Sequence, residues 1–176
     1  YARGRHHSAV KEAVFNRDPS NNIFIRPDFI LSEDAFSMVE LEVTPFGLPL
    51  ACFLEESFRK AGHKVMGIPE QEFFEWFTRK ALNLKNDESF TGKKLIFVFS
   101  QETGNFMGQF EYFARQLQEI GVNASVVYLP DTRAPPSQES PLAGFLKDKD
   151  NLTVHRCFYL KDALKSHYIK ELLELV

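Results

Sequence analysis

Hydrophobic and polar positions change period along the chain, and the changes mark out its elements. Ile23–Leu31 is an apolar run interrupted by two charges, and Phe36–Val43 alternates apolar with polar; both read as strands. Ser32–Ala35 between them is a short polar connection suited to an antiparallel hairpin. Thr44–Pro49 breaks the pattern with prolines and a glycine. Leu50–Ala61 predicts a helix closed by Gly62, and His63–Met66 a short strand. Glu70–Leu84 predicts a helix with Phe73, Phe74, Phe77, Ala81 and Leu84 at helical spacing, and Trp76 and its Phe neighbours read as core. After a polar break over 85–93, Leu95–Phe99 is apolar at every position, the pattern of a strand buried on both faces. Asn105–Ile120 predicts a helix capped by Gly121, Ala124–Tyr128 a strand, Pro130–Ser140 a loop, Thr153–Tyr159 a strand and Lys161–Val176 a last helix. Upstream, Lys11–Phe15 closes a short helix that starts after Ser8, and Asp18–Asn22 has turn chemistry.

Strands that alternate with helices predict α/β architecture. The expectation is a Rossmann-like mixed sheet flanked by helices over 92–176, and a hairpin-bearing lobe over 1–84, packed as one unit. The chain starts without Met and stops inside an apparent helix, Ile169–Val176, with no Gly or Pro to close it, so it reads as a fragment of a longer polypeptide.

Composition narrows the function classes. Of 176 residues, 44% are hydrophobic and 26% charged, the balance of a soluble globular chain that can bury a core without staples. The net charge of −3 argues against a nucleic-acid partner. No apolar run approaches the roughly 18 residues of a membrane span, and the first residues are not a signal peptide. Two cysteines, Cys52 and Cys157, make no disulfide framework, which points to reduced thiols and a cytoplasmic location. The 18 Phe, against 5 Tyr and 1 Trp, read as a Phe-rich core. His6 and His7, and the separated His63, His155 and His167, lack ligand spacing, so no zinc site is expected. Cys52 reads as a buried thiol rather than a nucleophile. Glu111, Arg115 and Glu119 make i,i+4 pairs on a solvated helix face.

The first candidate chemistry lies on the hairpin. Side chains alternate faces along a strand, so Arg26 shares a face with Asp28, and Glu40 with Glu42. Pairing the two strands gathers all four. Three carboxylates so close repel one another unless positive charge sits among them. Arg26 supplies one charge, and a divalent cation such as Mg²⁺, which prefers oxygen ligands, would supply the rest. The plainer alternative is a solvated hairpin face, with Val39, Leu41 and Val43 turned the other way. The rigid exit Thr44–Pro49 favours a backbone held against a ligand.

Arg26-x-Asp28, followed after residues 29–39 by Glu40-x-Glu42, resembles the R-x-D…E-x-N signature of glutathionylspermidine-synthase-like ATP-grasp ligases. A group of bacterial ATP-grasp-like proteins is similar at Arg26–Phe29, Glu40–Gly47, Ser100-Gln-Glu102 and Val154–Asp162. The resemblance implies a pre-ATP-grasp region of a carboxylate–amine ligase, with ATP and Mg²⁺ as cofactors and a small-molecule substrate. It implies that Arg26 contacts phosphate and that Asp28, Glu40 and Glu42 are metal ligands or lie just behind them. Glu42 departs from the family, which has Asn there. No Gly-rich phosphate loop is present, so the remainder of the parent polypeptide would have to complete the site. A non-catalytic ligand-binding or scaffold domain is one alternative. A metal-dependent nuclease of the PD…(D/E)xK type is another, with Glu42 in place of its Lys.

The second candidate is the junction Ser100–Asn105, between a strand and a helix. Ligands of open α/β sheets sit at the carboxyl ends of strands, above all where strand order reverses. Ser100 and Glu102 are the expected substrate contacts there, Glu102 toward an amine. The alternative is that Thr103 or Asn105 only caps the helix.

Overall fold

The computed structural model describes residues 26–33, 35–42, 47–65, 67–130, 139–147, 149–159 and 165–175. The expectations for 1–25, for the 44–46 half of the exit, for the 131–138 part of the loop and for 160–164 lie outside the described residues.

Strands β1 (Arg26–Leu31) and β2 (Phe36–Glu42) pair antiparallel as a sheet of their own. Ser32 tightens the turn, donating its backbone N–H and its hydroxyl to the Ala35 carbonyl at 3.0 and 3.1 Å. Helix α1 (Leu48–Lys60) begins before its apolar pattern does, because Pro49 suits a first helical turn, where no N–H is needed. It ends at Gly62, whose φ of +86° favours glycine. No strand follows over 63–65: the His63 N–H closes back onto the Phe58 carbonyl at 3.0 Å, a six-to-one helix terminus that uses the segment.

Helix α2 (Glu70–Ala81) buries Phe73, Phe74, Phe77 and Thr78. Trp76 is a correction to the expected core, being 41% exposed. It lies about 110° around the helix from the centre of the Phe stripe.

The main sheet has β3 (Lys94–Ser100) at its centre, β4 (Asn123–Leu129) on one side and β5 (Leu152–Cys157) on the other, all parallel. Leu95, Phe97 and Phe99 point into one layer, against α2 and helix α3 (Met107–Glu119). Ile96 and Val98 point into the opposite layer, with Leu142, Phe158, Tyr168 and Leu172. Both faces are therefore apolar, which is why β3 shows no alternation. The second layer is built from the single turn α4 (Ala143–Leu146) and from α5 (Ile169–Leu175). The protein is thus α/β, a helix-flanked parallel sheet with a separate hairpin near the N-terminus.

The last helix is shorter than its sequence pattern. Ser166 donates its hydroxyl to the Pro130 carbonyl at 3.0 Å and accepts the Tyr168 N–H at 3.2 Å, holding 165–168 as a turn and delaying the helix to Ile169. No helix among the described residues is long and apolar enough to cross a membrane.

Candidate functional site

The hairpin register sets Arg26 opposite Glu42, Pro27 opposite Leu41, and Asp28 opposite Glu40. Positions directly opposed, or two apart on one strand, share a face of an antiparallel ribbon. The four charged positions therefore occupy alternate rungs of one face at the root of the hairpin. Between Asp28 and Phe29 the register slips by one, so that Phe29 faces Met38 and Val39 is left over as a bulge. Val39, expected on the apolar side, is 59% exposed. The side chains of Arg26, Asp28, Glu40 and Glu42 lie outside the described residues. Among the described residues no group of three or more His, Cys, Asp or Glu could hold a metal ion.

The second candidate sits where the topology reverses. The chain leaves β3 for β4 over one face through α3, then returns across the other face to β5. The crossovers diverge between β3 and β5, and the carboxyl ends of those two strands form the switch point. Ser100 begins a 3₁₀ turn (Gln101–Phe106) that runs into α3, so the helical segment starts earlier than the apolar spacing predicts. Ser100 and Thr103 form a reciprocal capping box, with the Ser100 N–H donating to the Thr103 hydroxyl oxygen at 3.2 Å. Both are buried. Thr103 also donates its hydroxyl to the Cys157 carbonyl at 2.7 Å, tying the end of β3 to the end of β5.

Ser100 is thus turned into the turn that it caps. Glu102 faces outward, and its carboxylate accepts from the Lys165 ammonium at 3.1 Å across the mouth of the switch point. Lys165 had no local signal, since it lies 63 positions from Glu102 and next to no motif. The bond from Thr103 to Cys157 was equally invisible, because it depends on β5 pairing beside β3. Thr103→Val is expected to destabilise the fold by about 1–2 kcal/mol, since it leaves the buried Cys157 carbonyl without its donor, while Thr103→Ser keeps most of the stability. Urea denaturation of both variants checks this, and equal losses would remove the bridge from the account.

The cysteines offer no thiolate. Burial, with Glu55 and Glu70 nearby, pushes the half-buried Cys52 thiol up to about 12. Burial alone raises Cys157 well above its ordinary value. At neutral pH both are protonated and poor nucleophiles. Burial and a 2.9 Å bond to the Glu70 carboxylate likewise push the Tyr112 phenol up to about 12, so Tyr112 serves as a fixed strut between α3 and α2.

No family model, curated protein or solved structure matches this chain.

Proposed function

We propose that the chain is part of an ATP-grasp-like carboxylate–amine ligase, lending phosphate-facing and Mg²⁺-facing residues to a site that other segments complete. The single observation that supports this reading is the hairpin register, which pairs Arg26 with Glu42 and Asp28 with Glu40 on alternate rungs. An all-oxygen donor set of Asp28, Glu40 and Glu42 suits Mg²⁺, and the ion in turn offsets their mutual repulsion. Arg26 offers planar, permanently charged donors to a phosphate oxygen. Bound Mg²⁺ would neutralise nucleotide phosphates; a substrate carboxylate would take the terminal phosphoryl group of ATP as ADP leaves, and an amine would then displace phosphate from the acyl phosphate and give up a proton to form the amide. The switch point, with Glu102 at its mouth, is the place for the amine-bearing substrate.

Calorimetric titration with Mg²⁺ and ATP, on this chain and on the polypeptide that contains it, tests the reading. Saturable, Mg²⁺-dependent binding is expected, weakened by about tenfold or more in Glu40→Gln, as befits the loss of a charged ligand. No binding by an equally well-folded wild type would sink the ligase and leave a scaffold domain as the better account.

A further inference from the structure

β4 is an edge strand, and among the described residues nothing pairs with its outer side. Asn123 turns its N–H toward β3, donating to the Lys93 carbonyl at 3.4 Å. Backbone groups alternate sides along a strand, so Val126 and Tyr128 present their N–H and C=O outward. Ala124 faces outward too, but its N–H turns back to the Val122 carbonyl at 2.9 Å and its carbonyl accepts the Gln118 side chain at 2.7 Å. Exposed edges are ordinarily blunted by charges, proline or a bulge. β4 reads Asn-Ala-Ser-Val-Val-Tyr-Leu, with no charge and no proline, and its register with β3 is unbroken. The opposite edge, β5, carries the charged Arg156.

Alongside β4, α3 places Glu111, Arg115 and Gln118 around a shallow groove with Ala124, Ser125 and Val126. Glu111 and Arg115 are exposed, and the ion pair expected between them is not made. Gln118 of α3 bonds the Ala124 carbonyl near the start of β4 at 2.7 Å. Val126 lies about 6.6 Å further along the strand, the rise of about four residues back up the antiparallel α3, so the middle of the β4 edge is level with 113–114, between Glu111 and Arg115.

We propose that the outer edge of β4 pairs antiparallel with the same edge of a second copy, about a twofold axis at Val126 that sets Glu111 of each α3 opposite Arg115 of the other. Such an axis, normal to the sheet, keeps both α3 helices on one face and makes the charge pairing self-complementary. Val126 exchanges a pair of hydrogen bonds with its symmetry mate, while Gln118 of each copy stays over the fully buried Ala124 beside it. The result joins the two three-stranded sheets edge to edge at the middle of β4.

Sedimentation velocity over a concentration series tests this inference independently of any ligase activity. A reversible dimer is expected for the wild type. Arg115→Glu should raise its Kd by about tenfold or more through like-charge repulsion. Adding Glu111→Arg to that variant restores opposite signs across the axis and should return Kd to within about threefold of wild type. Val126→Pro, checked for folding by circular dichroism, removes the outward N–H and should leave a monomer. A wild type that stays monomeric overturns the proposal, as does a dimer whose Kd none of these changes moves.

Discussion

Replacing Phe97 with alanine is expected to lower the free energy of unfolding by about 4 kcal/mol. Phe97 has no solvent exposure, and its ring lies 5.1 Å from Phe110, 5.5 Å from Phe113 and 6.2 Å from Phe77. The loss combines lost burial with a cavity that the neighbours close poorly. Those neighbours are held by one another: Phe77 and Phe113 lie 4.8 Å apart, and Phe74 and Phe113 5.1 Å. Interlocked rings cannot collapse inward without breaking contacts elsewhere. A domain of this size has about 5–15 kcal/mol in all, so the variant sits near the threshold for folding. Urea titration followed by circular dichroism reads the change, with an unchanged slope showing that the two-state transition survives. A loss below about 1.5 kcal/mol would mean that the layer repacks and is not a fixed jigsaw.

That core was the most legible part of the chain. Unbroken apolar character from Leu95 to Phe99 gave a strand buried on both faces, and the helical spacing of Phe73, Phe74 and Phe77 gave the face that packs on it. Both signals are local and periodic. What remained hidden was set by long-range pairing or by single hydrogen bonds. Thr103 acts through β5, and Lys165 reaches Glu102 from the far side of the sheet. The His63 N–H and the Ser166 hydroxyl each settled the fate of a short segment that its apolar pattern misassigned. At the hairpin, alternation predicted which charged positions share a face, but not the bulge at Val39, because one extra residue leaves no trace in a period-two pattern. The edge of β4 has no sequence signal for a different reason: a strand's place in the sheet order, and so its freedom to pair, is not written in its own residues.

Lowering the pH from 6.5 to about 4 is expected to cost the protein about 2–3 kcal/mol of stability through His155 alone. Its imidazole lies among the rings of Phe77, Phe97 and Phe110, with centroids at 5.6, 5.5 and 6.4 Å. Burial there, aided by the neighbouring Arg156 charge, lowers its pKa from 6.5 to about 4. Above pH 6.5 both folded and unfolded chains hold it neutral, and it adds no slope. Between 6.5 and about 4 the unfolded chain takes up a proton that the folded chain does not, so stability falls with pH; below that both states are protonated and the loss is complete. His155 as a residue is intermediate in burial, which keeps the figure below the full desolvation penalty. Acidic side chains titrate in the same range, so the comparison that isolates His155 is with His155→Phe. Urea denaturation of the two proteins at steps from pH 7.5 to 4 should give a difference constant above 6.5 that then grows by about 2–3 kcal/mol in favour of phenylalanine. Curves that stay parallel to pH 4 would mean that the imidazole finds its proton inside the fold. The aromatic layer would then be wetter at the β5 edge than its ring packing implies.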